Sequence, residues 1–157
     1  SEKAVREAFA ELSAMASETL GGVFDGVLIQ PMMTSGTETL VGLSQDPMFG
    51  PLIAFGLGGT RVELFRDVAF RIAPLTDRDA EELIRSVRGF PLLQGYRNQA
   101  PADLRALCNL LLKVSYLGAH IPELLELEFN PVIALEAGRG CQIVDARARV
   151  GPLVVKS

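Results

Sequence analysis

Apolar positions recur with a helical period over residues 2–16, where Val5, Ala8, Phe9, Leu12 and Met15 make one stripe. Glu2 and Arg6 lie opposite it at i, i+4 spacing. Gly21-Gly22 ends the pattern, and residues 26–30 form a continuous apolar run, which predicts a strand covered on both faces. Residues 39–43 and 51–55 predict two further strands, and residues 61–65 and 68–72 a hairpin joined at Arg66-Asp67. Two helices come next. The first opens at Thr76, has Asp79 as a capping-box acid, and stops at Gly89; its stripe is Ala80, Leu83, Ile84 and Val87. The second starts at Pro101 and ends near Gly118, with Leu104, Leu107, Cys108, Leu111 and Leu112 on its apolar face. Strands, then two helices, then a closing hairpin predict an α+β domain. Its sheet is expected to be largely antiparallel, with the helices on one face.

The closing hairpin carries the chemistry. Leu125, Leu127 and Phe129 alternate with Glu126, Glu128 and Asn130, so apolar and polar groups take opposite faces. A turn at Ala137-Gly138 places Asn130 opposite Asp145, Glu128 opposite Arg147 and Glu126 opposite Arg149. Two readings fit this face. Asn130 and Asp145 are hard oxygen donors of the kind that hold Mg²⁺, which takes one or two protein oxygens and completes its octahedron with water and phosphate. The same alternation also describes a solvated sheet face with salt-bridged strands. Pro131 cannot donate to a ladder, which predicts that pairing ends just after Asn130.

Composition narrows the classes. At 157 residues, with 48% hydrophobic and 22% charged residues, the chain is long enough for one domain with a real core. A net charge of −4 without a Lys/Arg cluster argues against a nucleic-acid surface. No apolar run reaches the roughly 18 residues of a membrane span. Cys108 and Cys141 fall in apolar patterns and read as buried, reduced thiols, which implies a cytoplasmic protein. With His120 as the only histidine and no C-x-x-C, a zinc site is excluded; His120 reads as structural.

Several segments are familiar as an ordered series. Val27-Leu28-Ile29-Gln30-Pro31-Met32 precedes Gly36-Thr37-Glu38, Val41-Gly42 and Asp46-Pro47-Met48-Phe49-Gly50-Pro51. Phe55-Gly56-Leu57-Gly58-Gly59, Val68-Ala69-Phe70-Arg71-Ile72-Ala73-Pro74-Leu75 and Arg88-Gly89-Phe90-Pro91-Leu92-Leu93 follow. Glu128-Phe129-Asn130-Pro131 and Asp145-Ala146-Arg147 complete the set. Together they resemble the ATP-grasp domain of the nucleoside-diphosphate-forming acyl-CoA synthetases, relatives of the succinyl-CoA synthetase beta subunit.

The resemblance implies a C-terminal grasp lobe over residues 26–150, a remnant of the preceding lobe in residues 1–25, and a tail at 151–157. It implies that residues 30–33 are the interlobe hinge, with Gln30, Met32 and Met33 near the nucleotide base and ribose. Gln30 stands where the family often has glutamate, and from sequence alone Met32-Met33 read first as core filler. Glu38 matches an acid facing the nucleotide, and Arg71 a phosphate contact; each also reads as an ordinary strand charge. Asn130 and Asp145 match the pair that holds Mg²⁺ on ATP or ADP, and Glu128 the glutamate that meets a phosphorylated histidine. The implied activity is an acid–thiol ligase that couples acyl-CoA thioester chemistry to ATP/ADP. Its implied partners are the remaining grasp lobe and the domains or subunit that bind CoA and the carboxylic acid. An isolated lobe is expected not to turn over, and to self-associate through surface that the other lobe would cover. The alternative is a non-catalytic interaction or regulatory module that keeps the lobe as a scaffold.

Overall fold

The computed structural model describes residues 1–20, 25–33, 35–58, 67–96 and 100–152. The chain divides into two compact units, Ser1–Met32 and Met33–Ser157.

In the first unit, α1 (Glu2–Leu20) bears out the helical stripe, and the Arg6 guanidinium meets the Glu2 carboxylate at 2.7 Å. The apolar run at 26–30 is not a strand: no ladder joins it among the described residues, and Leu28 and Ile29 are 82% and 80% exposed. Apolar sequence favours burial, but a strand also needs a partner for its backbone N–H and C=O groups. Its side chains Val27, Leu28 and Ile29 instead line an open groove of about 700 Å³ with Val5, Phe9 and Leu12 of α1.

Among the described residues the second unit is a six-stranded antiparallel sheet with helices on one face. Its strands are β1 (Thr37–Asp46), β2 (Gly50–Leu57), β3 (Val68–Ile72), β4 (Leu124–Ala134), β5 (Cys141–Ile143) and β6 (Ala146–Val150). They run in the order β3-β2-β1-β4, and β5 and β6 both pair with β4 at different heights. The expected partner strand at 61–65 lies outside the described residues. The helices are α2 (Asp77–Ser86), the single turn α3 (Phe90–Leu93) and α4 (Leu104–His120).

Cross-strand partners share a face, so Val41 with Phe55 and Leu43 with Ile53 point together toward the helices. There they are fully or nearly fully buried with Leu83 and Ile84 of α2 and Leu107, Leu111 and Val114 of α4. Thr76 caps α2 in a complete capping box with Asp79, as the sequence predicts. Asp79 lies below the usual carboxylate range because the Thr76 hydroxyl and backbone N–H donate to it.

The second long helix differs from its sequence prediction at both ends. Pro101 is not its first residue: Ala102 forms an isolated bridge to Glu136, which keeps this backbone extended, and Asp103 is the cap. At the other end α4 runs through Gly118 to His120. Gly118 is a contact glycine rather than a stop, since a Cβ there would lie 2.1 Å from Leu43 Cδ1. His120 stacks on Tyr116 at 3.9 Å between ring centroids, a contact local to the helix end.

Candidate functional site at a bulge in the C-terminal hairpin

Local sequence sets the hairpin. Every β4–β5 pair, and the β4–β6 pairs from Glu126 to Phe129, keep one register: Val132 opposite Ile143, Glu128 opposite Arg147, Glu126 opposite Arg149. This is the register expected from a turn at Ala137-Gly138. Gly138 and Gly140 supply the left-handed backbone of that turn, at φ 84° and 86°. At the centre the Asn130 N–H donates to the Asp145 carbonyl at 3.2 Å, and the Val144 N–H to the Pro131 carbonyl at 3.0 Å. Asn130 and Asp145 therefore face each other across the strands.

Pro131 does not end the pairing. Against β1, Phe129 pairs with Val41 and Val132 with Thr39, so Asn130 and Pro131 together oppose Leu40. That is a β-bulge, and the ladder resumes beyond it. The buried Thr39 hydroxyl donates to the Val132 carbonyl at 2.9 Å and pins the bulge from the core side. The bulge resets the alternation, so Phe129 and Val132, three residues apart, both turn toward the core.

Glu126, Glu128, Asn130 and Asp145 are all exposed. Small residues of β1 lie beside the acids, Gly42 opposite Glu128 and Ser44 opposite Glu126, which leaves the carboxylates open. The Asn130 amide donates from Nδ2 to Glu128 Oε1 at 3.2 Å, which leaves Asn130 Oδ1, an acceptor, for a cation. Arg147 sits opposite Glu128 in the ladder, yet its Nε lies 3.5 Å from Asp145 Oδ2; the expected Glu128–Arg147 bridge is replaced by an Asp145–Arg147 one. Arg149 does bridge Glu126, whose carboxyl it holds below its usual range.

The donor set fits a hard divalent cation such as Mg²⁺. Among the described residues no group of three or more His, Cys, Asp or Glu side chains could enclose a metal. Two hard oxygens on an exposed rim suit an ion that takes few protein ligands and completes its shell with water and phosphate.

The remaining sequence candidates are spread more widely. Gln30 and Met32 belong to the first unit, whose boundary with the second falls at Met32 and Met33. Met32 is 86% exposed, which rules out its reading as core filler, while Met33 is half-buried. Glu38 is exposed on β1 and alternates with Thr39 of the core face, which puts it on the same open face as Glu128. Arg71 pairs with Ile53, so it stands on the helix side of the sheet, away from Asn130 and Glu128. Cys108 and Cys141 are free and half-buried, and burial pushes both thiols up.

Sequence reasoning missed Asp103. Its buried carboxylate accepts from the Ala106 N–H at 3.0 Å, and from the turn N–H groups of Gly138 and Gly140 at 3.0 and 2.9 Å. These bonds, that to Gly140 foremost, hold its carboxyl below the usual range. An aspartate just before an apolar helical period was the available signal.

Residues 1–150 match the ATP-grasp domain family. The chain is 47% identical over 127 residues to an ADP-forming acetate–CoA ligase I of Archaeoglobus fulgidus, covering 81% of this chain and 18% of that protein. It is 45% identical over 123 residues to the beta subunit of an ADP-forming acetate–CoA ligase II of Pyrococcus furiosus, covering 78% and 52%. The acetyl-coenzyme A synthetase 1 of Ca. Korarchaeum cryptofilum, solved with coenzyme A, Ca-AMPCP and HgCl⁺, superposes with a TM-score of 0.88 at 40% identity, over 96% of this chain and 66% of that one. The same synthetase, solved with coenzyme A and Mg-AMPPCP and its phosphohistidine segment pointing towards the nucleotide site, gives 0.74 at 37% identity, over 86% and 70%. The chain thus spans between 18% and 70% of the length of these relatives. It belongs to the ATP-grasp family, in the form found in the ADP-forming acyl-CoA synthetases.

Proposed function

We propose that this chain is the part of an ADP-forming acyl-CoA synthetase that binds the magnesium–nucleotide complex. The observation that carries the reading is the bulged hairpin, which sets Asn130 and Asp145 opposite each other with oxygens open to solvent. Asn130 Oδ1 and the Asp145 carboxylate are the ligands. Mg²⁺ held there would supply charge neutralisation for the phosphoryl group in transfer between nucleotide and protein. Glu128 holds the Asn130 amide in its metal-facing orientation and presents a carboxylate on the same rim, suited to accept a hydrogen bond from a phosphorylated histidine. Gln30, Met32 and Met33 form the nucleotide-base hinge, and Glu38 faces the nucleotide from the open side of the sheet. Arg71 acts on phosphate only if the ligand reaches the helix side, so it is the weakest member of the set.

The whole protein would join a carboxylic acid to CoA through domains that relatives carry beyond this region, in the cytoplasm, where free half-buried thiols persist. Among the described residues no helix is long and apolar enough to cross a membrane. Phe70 and Ile72, 57% and 53% exposed, lie on the open sheet face, where the preceding grasp lobe or a second copy would cover them.

Calorimetric titration of Mg-ADP tests the reading. Binding that requires Mg²⁺, and that Asp145→Asn weakens at least tenfold, is the expected result. Binding that ignores both Mg²⁺ and the substitution would overturn it and favour the scaffold alternative.

A further inference from the structure

We infer that Asp103 is a positioning residue for the metal pair, acting through the turn of the hairpin rather than by touching a ligand. The inference rests on the assignment of Asn130 and Asp145 to Mg²⁺.

The geometry divides the carboxylate's work between its two oxygens. Oδ1 accepts from Ala106 and caps α4, while Oδ2 accepts from both Gly138 and Gly140. The neighbouring backbone adds two ties across the same gap, Asp103 N–H to the Leu135 carbonyl at 2.8 Å and Ala137 N–H to the Pro101 carbonyl at 2.9 Å, which together form the Ala102–Glu136 bridge. The turn is therefore fastened to the start of α4, whose Leu107 and Leu111 are fully buried under the sheet.

This matters because the hairpin is short of other register constraints. β5 has only three residues, and β6 is exposed along its whole length. Register in a hairpin is set by its turn, and a slip of one residue moves each side chain to the opposite face. Asp145 lies in the break between β5 and β6, with Ile143 of β5 still packed against the core and β6 beyond it free of such packing. Loosening the turn would let Asp145 drift from Asn130 while the helix-packed face of β4, with Leu127 and Val132, stays in place. A residue needed only for folding would not separate these two effects.

The test uses the full chain and Asp103→Ser. Serine remains a good helix cap, but its single short hydroxyl cannot also reach Gly138 and Gly140. Two readings are taken at a temperature where circular dichroism shows both proteins fully folded. The first is Mn²⁺ affinity in the presence of ADP, from the electron-spin-resonance signal of free Mn²⁺. The second is amide exchange at Asn130 and Val144, the two N–H groups that bond across the hairpin beside the metal pair. Asp103→Ser should weaken Mn²⁺ about tenfold and speed exchange at both amides by a similar factor, with exchange at Leu107 and Leu111 within twofold of the parent. Asp103→Glu, which keeps two carboxylate oxygens, should recover part of both. Unchanged Mn²⁺ affinity and unchanged exchange at Asn130 and Val144 in the serine variant would overturn the inference and leave the metal assignment standing. Failure of the parent chain to bind Mn²⁺ with ADP would overturn the metal assignment, and the inference with it.

Discussion

Two hairpins of this sheet each have an aspartate that receives turn N–H groups, and they do it in opposite ways. Asp46, at the end of β1, turns back on its own loop and accepts from Met48 and Phe49 at 2.8 and 2.9 Å. That turn is closed by residues two and three positions away and is exposed to solvent. Asp103 reaches the turn between β4 and β5 from 35 and 37 residues away, across the helix layer. The first hairpin holds its own shape. The second is held from outside, by the helix that packs beneath the sheet, and it is the one with the candidate ligands. A self-closed turn serves as scaffold, whereas a turn fastened to the core can transmit the rigidity of the core to an exposed rim.

The comparison can be broken most severely from below. Phe55 is fully buried in β2, opposite Val41, which pairs in turn with Phe129 of β4. Phe55→Ala should cost about 3–5 kcal/mol in chemical denaturation and loosen both hairpins alike; a loss confined to one would show that they do not share a core. Next comes the direct contrast of the two aspartates. Asp103→Ala removes a helix cap and strands two turn N–H groups, and should cost about 2 kcal/mol. Asp46→Ala, on an exposed turn, should cost about 0.5 kcal/mol. Equal losses would remove the distinction between them.

The smallest effect lies in acid. The Asp103 carboxyl is held below its ordinary value, so the folded chain binds fewer protons than the unfolded one as the pH falls toward that value. Its contribution is complete above the unfolded carboxylate pKa of about 3.9 and is lost as the pH drops through the lower folded one. Asp103→Ser should therefore flatten the acid limb of the stability curve. A serine variant with the parent's acid dependence would assign that limb to other carboxylates, such as Asp79.

Much of the site was legible in the chain. The alternation of residues 125–130 and the position of Gly138 were enough to pair Asn130 with Asp145 and Glu126 with Arg149, because a two-residue side-chain period and a turn leave few registers open. The capping box at Thr76 was equally local. What failed was whatever depended on a distant partner. Residues 26–30 have the composition of a strand but no ladder among the described residues. Arg147 had Glu128 opposite and turned to Asp145, since exposed ion pairs differ by too little for register alone to choose.

The sequence alone determined the family, the α+β class, the two helices and the pairing of Asn130 with Asp145, each written in local periodicity or in an ordered series of motifs. Tertiary structure decided that Pro131 makes a bulge instead of an end, that Arg71 faces the helices, and that Asp103 holds the turn of the hairpin. Those three outcomes depend on which strand or helix lies alongside, and contacts between residues tens of positions apart leave no periodic trace in the chain.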